Sequence, residues 1–256
     1  MKTGVLITAR LGSTRLKRKH MLPVLAKPLL YYLIRRVSHE FQAEVSHGSL
    51  EIIIATSDEA ENREFEVLNP LGVKVFYGSR NNIPLRHLQA ALAHGLDCII
   101  AVDGDDILCS VQGMRCVYKA VNDGQRYVKT SFLPFGMNSF GYSREFLEAS
   151  LRPHIEDTLE TGWGRIFDAE VLTDLALSFA VPDKSMRFTL DYEEDYHFFK
   201  ALISALGARI DTASDEEIIR VATDQELFKF TELVAQEYWA NYYKEIEAEK
   251  QLSDST

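Results

Sequence analysis

Four short apolar runs, each followed by a more polar segment, set the pattern of the first hundred residues. "GVLITA" at 4–9, "LEIIIATS" at 50–57, "VKVFYG" at 73–78 and "DCIIAVDG" at 97–104 read as strands. Residues 28–40, 58–68 and 83–95 carry apolar positions at helical spacing. Strand and helix alternate, which predicts a parallel sheet wrapped by helices. Ile52, Ile53 and Ile54 are apolar on consecutive positions, as suits a strand covered on both faces. Ligands of such sheets lie at the carboxyl ends of the strands, so the residues just after each run are the first candidates for chemistry.

After residue 125 the alternation breaks down. "SFLPFGMNSFGYS" at 131–143 is rich in turn formers and aromatics and reads as an insertion, followed by helical spacing over 143–151. Residues 186–190 predict one more short strand. "YEEDYHFFKALISAL" from 192 predicts an amphipathic helix whose acidic start suits the helix dipole. A final helical tract is expected over roughly 215–249, with 251–256 as a frayed polar tail. No internal repeat and no linker rich in Pro, Gly or Ser divides the chain, so 1–250 is expected to form a single domain.

Composition narrows the classes. With 256 residues, 46% hydrophobic and 26% charged, the chain can bury a sizeable core. No apolar run approaches the roughly 18 to 20 residues that cross a bilayer, and "MKTGVLITAR" lacks the apolar stretch of a secretory signal. A cytoplasmic protein without a membrane partner is expected. Cys98, Cys109 and Cys116 are too few and too irregular for a disulfide framework or a four-ligand zinc site, and read as buried small apolar residues. A net charge of -10 argues against a nucleic-acid partner.

Against that acidic background, "ITARLGSTRLKRKHML" at 7–22 packs Arg10, Arg15, Lys17, Arg18 and Lys19 directly behind the first strand. Gly12, Ser13 and Thr14 offer backbone N–H groups in the same loop. The position and the charge together point to phosphate; a solvated surface loop is the alternative. Neither G-x-G-x-x-G nor G-x-x-x-x-G-K-[ST] is present. Side-chain cations must therefore replace part of the backbone cradle, arginine as a bidentate fork and lysine as a point charge. A second charged patch, "AVDGDDIL" at 101–108, places three carboxylates within four positions after an apolar run. Such crowding calls for a cation, and hard oxygen ligands suit magnesium; a purely structural acidic turn is the alternative.

"RLGSTRLKRKHMLPVLAKPLLYYLIRRV" at 10–37 resembles the amino-terminal signature of the cytidylyltransferases that activate acidic sugars. That family contains the 3-deoxy-octulosonate and acylneuraminate cytidylyltransferases and the spore-coat-polysaccharide cytidylyltransferase-like proteins. Arg10, Gly12, Ser13, Thr14, Arg15, Leu16 and Lys19 match its R-x-G-S-T-R-L-P-G-K-x-L pattern, while Lys17 and Arg18 replace the Pro-Gly and Ala26 replaces a Gly. "IIIATSDEAEN" at 52–62, "VFYGSRNNIPLRHLQAA" at 75–91 and "RFTLDYEEDYHFF" at 187–199 resemble later motifs, so the likeness recurs along most of the first 205 residues. Asn82 stands where Asp is common, Asp103 for a Thr, Ile107 for a Pro, and Thr189 for a carboxylate of the acylneuraminate branch.

The resemblance implies a Rossmann-like nucleotidyltransferase fold of the α/β class, a mostly parallel sheet flanked by helices, with an inserted dimerisation arm over about 132–185. In that arm Phe132, Phe135, Phe140, Tyr142 and Trp163 would otherwise expose an apolar patch. It implies transfer of CMP from CTP to a 2-keto-3-deoxy sugar acid, with release of pyrophosphate, by a homodimer serving surface-polysaccharide biosynthesis. Arg15, Lys19, Asp105 and Asp191 would be catalytic. Ala9, Arg10, Gly12, Ser13, Arg15, Lys19, Thr56, Ser57, Asn82, Arg86 and Asp103 would contact the nucleotide, and Asp195, His154 and Arg165 the sugar. Asp105 and Asp191 would hold Mg2+ on adjacent strand ends. Simpler readings stand beside these: Asp58 and Asp106 as helix caps, Arg86 as a surface helix charge, Asp195 as a helix-start charge, and His20 as a stray loop histidine. His154, Glu156, Trp163 and Arg165 belong either to the sugar pocket or to an interface. A different acceptor, such as a phosphonate or a sugar phosphate, and a non-catalytic nucleotide-binding homologue are the competing functions.

Overall fold

The computed structural model describes residues 1–177, 186–232 and 234–253. In chain order the first half contains β1 (Thr3–Thr8), a small hairpin of β2 (Pro23–Val24) and β3 (Lys27–Pro28), α1 (Leu29–Glu40), α2 (Gln42–Ser46), β4 (Leu50–Ser57), β5 (Lys74–Gly78), α3 (Ile83–His94) and β6 (Cys98–Asp103). Then come α4 (Val111–Asn122), β7 (Tyr127–Ser131), β8 (Phe140–Ser143), α5 (Arg144–Leu151), β9 (Leu172–Ala176), α6 (Glu193–Leu206), α7 (Asp215–Asp224) and α8 (Val234–Ser253). Seven strands form one sheet in the order β5-β4-β1-β6-β8-β7-β9. Only β8 runs against its neighbours; the β1/β4, β1/β6, β4/β5 and β7/β9 pairs are parallel.

The consecutive apolar residues of the central strands are explained by cover on both faces. Val5, Ile7, Ile52, Ile54, Ile100 and Val102 face one side with Leu33, Ile34, Val37, Met114 and Val117 of α1 and α4. Leu6, Ile53, Ile99 and Ala101 face the other with Ala90 and Ala91 of α3 and Phe146 and Leu147 of α5. Every one of these side chains is essentially inaccessible. A third cluster joins Leu29 and Tyr32 to Ile107, Leu108, Phe188, Phe198, Phe199, Leu202 and Ile203, and so docks α6 beside the acidic turn.

Several expectations change. Residues 60–71 form 3-10 turns, with Pro70 inside, instead of the helix expected over 58–68. Asp58 does not cap it, because Glu59 precedes the first turn and no side chain caps that end. Asp106 does not cap α4 either: Ser110 does, accepting from Gly113 N at 2.7 Å. Residues 186–190 form no strand, only a single bridge between Phe135 and Arg187. The tract over 215–249 is broken, since Glu226 takes a left-handed conformation and a 3-10 turn over Leu227–Phe230 separates α7 from α8. α8 continues to Ser253 through part of the expected tail; residues 254–256 lie outside the described residues.

The stretch expected as an arm supplies β8 and β9 to the main sheet and α5 to its face. Tyr142 and Trp163 are buried in the chain's own core, and Phe140 is half-buried against Trp163. Phe135 packs on Tyr238 and Trp239. Phe132 alone of the five aromatics stands clear, at 73% exposure. Residues 178–185 of the expected arm lie outside the described residues.

Candidate active site

Sheet register brings the basic loop and the acidic turn together. Thr8 at the end of β1 pairs with Asp103 at the end of β6, and Gly104 N donates to Thr8 O at 2.7 Å. A side chain at position 104 would put its Cβ 2.9 Å from both Ala9 Cβ and Thr8 O, so only glycine allows the two strand ends to approach this closely. Both loops then open into one cleft of about 860 Å3, walled also by Arg86, residues 160–165, Asp191 and α8.

At its base Lys19 Nζ donates to Asp105 Oδ2 at 2.7 Å and to Asp191 Oδ1 at 3.0 Å. The lysine is only 6% exposed. Burial disfavours its charge, but the two carboxylates outweigh burial and raise its pKa. Asp105 is held well below the usual carboxylate range: burial opposes this, and the Lys19 charge and the His20 contact overcome it. His20 Nε2 stands 2.8 Å from Asp105 Oδ1, and neither atom has an aligned hydrogen-bond partner. His20 is thus a buried element of the site rather than a stray loop residue.

The other carboxylates of the turn behave differently. Burial, helped by the Asp105 charge, pushes Asp103 up to about 7, although Trp163 hydrogen-bonds to it. Burial and Asp103 likewise raise Asp106, which bonds Thr189.

Asp191 does not end a strand. Its Oδ2 accepts from Arg187 Nη2 at 3.1 Å, and its Oδ1 is shared with Arg15 Nη2 at 3.3 Å. Arg187 is held in turn by Asp195, whose oxygens accept from Arg187 Nε and Nη2 at 2.8 Å and from the backbone N–H groups of Asp191 and Tyr192 at 2.8 and 2.9 Å. Asp195 is fully buried and committed to these partners, so it supports Asp191 and touches no sugar.

Arg10 Nη1 donates to Glu160 Oε1 at 2.9 Å, and Arg15 Nη1 to Glu245 Oε1 at 3.1 Å. Ala9, Gly12 and Ser13 line the same cleft. Arg86 does too, but it is buried rather than a surface charge: Nε and Nη2 donate to the carbonyls of Ser79 and Arg80. Burial lowers its pKa to about 10. Lys17 and Arg18 are exposed and outside the lining, with Arg18 paired to Glu64.

Three expected nucleotide contacts are elsewhere. Thr56 and Ser57 are buried behind the cleft, where Ser57 Oγ bonds Asn62 and Glu59. Asn82 is spent on the protein itself: Oδ1 caps α3 through Leu85 N at 2.8 Å, and Nδ2 donates to the carbonyls of His154 and Asp157 at 2.9 and 3.0 Å. His154 pairs with Asp157 at 2.8 Å and does not line the cleft, so it is not placed to touch the sugar. Arg165 does line it, paired to Glu249 at 3.0 Å.

Sequence reasoning missed the last wall. Tyr238, Tyr242, Glu245 and Glu249 of α8 face the cleft. Their spacing of four, three and four residues is one helical stripe, which could have marked them as a single face.

The model of the cytidylyltransferase family matches residues 4–153. MJ1063, an uncharacterized protein of Methanocaldococcus jannaschii, is 31% identical over 150 residues, 58% of this chain and 59% of that protein. The spore coat polysaccharide biosynthesis protein SpsF of Bacillus subtilis is 28% identical over 225 residues, 83% of this chain and 91% of SpsF. A cytidylyltransferase structure from Leptospira borgpetersenii superposes with a TM-score of 0.72 at 25% identity, covering 89% of this chain and 96% of that one. The structure of CMP:2-keto-3-deoxy-manno-octonic acid synthetase with CTP shares the fold, with a TM-score of 0.57 at 14% identity over 80% and 99% of the two chains. Among the described residues no helix is long and apolar enough to cross a membrane. With its family match running from β1 through the acidic turn and α5, the chain belongs to the cytidylyltransferase family of nucleotidyltransferases.

Proposed function

We propose that the protein transfers CMP from CTP to an acidic sugar, a 2-keto-3-deoxy sugar acid, and releases pyrophosphate. The observation that carries this reading is the convergence of Arg15, Lys19, Asp105 and Asp191 at the carboxyl end of β1 and β6. Arg10, Arg15 and Lys19 line one wall of the cleft and form a cationic track for a triphosphate, with arginine forks suited to its oxygens. The sugar hydroxyl attacks the α-phosphorus, and the same cations neutralise charge that accumulates on the departing pyrophosphate.

The donor set fits magnesium. Asp105 Oδ1 is a buried carboxylate oxygen without an aligned hydrogen-bond partner, and Asp191 Oδ1 meets Asp105 Oδ2 on the same ammonium. Among the described residues no three His, Cys, Asp or Glu side chains gather as a metal cage. Two carboxylates completed by phosphate oxygens and water are a usual arrangement for this ion. Asp105 and Asp191 would hold it, and it would supply positive charge to the phosphates. Lys19 then orients both carboxylates, and Arg187 with Asp195 keeps Asp191 in place.

The acid-sugar acceptor and a role in surface-polysaccharide biosynthesis are supported by the likeness to SpsF and by the fold shared with the octonic acid synthetase. A homodimer in the cytoplasm belongs to the same proposal; the exposed Phe132 is its candidate contact. A pyrophosphate-release assay with CTP, magnesium and a panel of 2-keto-3-deoxy sugar acids tests the reaction. Release with a sugar acid, and not with a sugar phosphate or a phosphonate, is the expected result. Sedimentation at micromolar concentration tests the dimer, and a monomer would count against it.

A further inference from the structure

α8 crosses the open side of the cleft and is tied to both of its rims. On one rim Glu245 Oε1 accepts from Arg15 Nη1 at 3.1 Å. On the other, Glu245 Oε2 accepts from Thr161 Oγ1 at 3.2 Å, and Glu249 Oε1 accepts from the backbone N–H groups of Glu160 and Thr161 at 3.2 and 2.8 Å. Glu249 Oε2 pairs with Arg165 at 3.0 Å. The two ends of the helix are held by different physics. Its beginning is an aromatic anchor: Tyr238 and Trp239 pack on Phe135, and the Arg187 guanidinium lies 4.4 Å from the Tyr238 ring centre. Its later half is attached to the rims chiefly through carboxylates, with Ile246 and Tyr242 passing over Gly162.

Charge decides what those carboxylates do. Six cationic side chains and seven carboxylates line the cleft, and α8 brings two of the carboxylates and none of the cations. To a cleft that must receive a highly charged triphosphate, this one helix adds only negative charge. Glu245 occupies Nη1 of Arg15, while Asp191 holds Nη2, and an incoming phosphate oxygen would form the same charge-assisted contact at Nη1.

We propose that α8 is a displaceable strap in which Glu245 is an internal competitor for the phosphate-binding face of Arg15, and that nucleotide entry expels the 245–253 half of the helix while the aromatic half stays anchored. This rests on reading Arg15 as a triphosphate ligand. A polyanion exchanges for a carboxylate on a guanidinium with little loss, whereas the apolar contacts around Phe135 have no such substitute. Nucleotide affinity then reports the cost of opening the strap.

The test measures binding of CTP and of inorganic tripolyphosphate by calorimetry to the full chain, Glu245→Gln and Glu249→Gln, with hydrogen exchange followed along α8. Glu245→Gln should bind both ligands about fivefold to tenfold tighter, a change of about 1 to 1.4 kcal/mol. Glu249→Gln should act in the same direction more weakly, and it serves as the independent reading if the first variant folds poorly. In the unaltered chain, CTP should speed exchange over 245–253 and leave 234–242 nearly unchanged. Equal or weaker binding by both variants, or protection of 245–253 by CTP, overturns the strap. Tighter tripolyphosphate binding by the variants with no CTP binding by any form would uphold the strap and remove CTP as the substrate. Normal CTP turnover with unaltered variant affinities would do the reverse. Failure of every form to bind either ligand would overturn both.

Discussion

The two carboxylates that meet on Lys19 are held in place by opposite means. Asp105 belongs to a turn whose position is dictated by the register of β1 and β6, two central strands with apolar cover on both faces. Asp191 lies on a segment without regular structure, and its position depends on Arg187, Asp195 and two backbone N–H bonds. The first is positioned by hydrophobic burial and backbone ladders, the second by a buried ion network. Damage should therefore look different on the two sides: chiefly loss of chemistry at Asp105, loss of local structure at Asp191.

The largest effect is expected from Arg187→Met. It leaves Asp195, at 0% exposure, without its cation and Asp191 with only Lys19 and Arg15, and removal of one partner from a buried pair costs about 3 to 5 kcal/mol. Urea unfolding should show this loss, and an unchanged midpoint would mean that the network is not what holds Asp191. Asp105→Asn removes one of the two carboxylates on Lys19 but leaves Asp191 there, so the urea midpoint should fall less than in Arg187→Met, while turnover of CTP falls by about 10^2 to 10^3. A drop in stability as large as that of the Arg187 variant would erase the contrast.

Arg15→Ala comes next. Its side chain is 28% exposed and makes no core contact of this kind, so the expected cost is about 1.5 to 3 kcal/mol in kcat/KM for CTP, read from steady-state kinetics with thermal stability as control. Asn82→Ala is smaller again and shows up in stability. Loss of a cap and of two carbonyl partners should cost about 1 to 2 kcal/mol, while the KM for CTP stays put. A raised KM with normal stability would return Asn82 to the nucleotide site.

The smallest effect is a pH dependence on the sheet side of the cleft. His87 is fully buried between Thr8 Oγ1 at 2.7 Å and Tyr142 OH at 2.6 Å. Burial, with a lesser push from the Arg86 charge, lowers its pKa to about 3. The unfolded chain binds a proton here near pH 6.5 and the folded chain does not, so this contribution is complete above 6.5 and is lost as pH falls toward 3. Between pH 7 and pH 6 the loss is below about 1 kcal/mol. His87→Gln should flatten that part of the stability profile, and an unchanged slope would show that His87 is not its source.

What was legible in advance followed from local regularities. The strands at 4–9, 50–57, 73–78 and 97–104 and the helices at 28–40 and 83–95 each announce themselves by apolar period and by a turn at the end. The loop from Arg10 to Lys19 and the turn at Asp103–Asp106 stand out because charge is concentrated just where a parallel sheet offers its ligand site. The misreadings share a cause. Thr56, Ser57 and Asn82 are small polar residues beside that site, and sequence spacing does not tell a side chain that faces a ligand from one that ties down its own backbone. His20 looks unremarkable in a list of residues, and only burial against Asp105 distinguishes it.

By itself the chain's order of residues determined a doubly covered, mostly parallel sheet with an anion-binding loop and an acidic turn, because periodicity, turn chemistry and charge density are properties of neighbours along the chain. Tertiary structure alone decided that Lys19 bridges Asp105 and Asp191, that Arg187 and Asp195 support this meeting, and that α8 closes over it. The contacts of Lys19 and of α8 with Arg15 join residues 86 to 230 positions apart. Their existence depends on how the strand register, the docking of α6 and the break after α7 add up in space, and none of that sum is written in any one stretch of sequence.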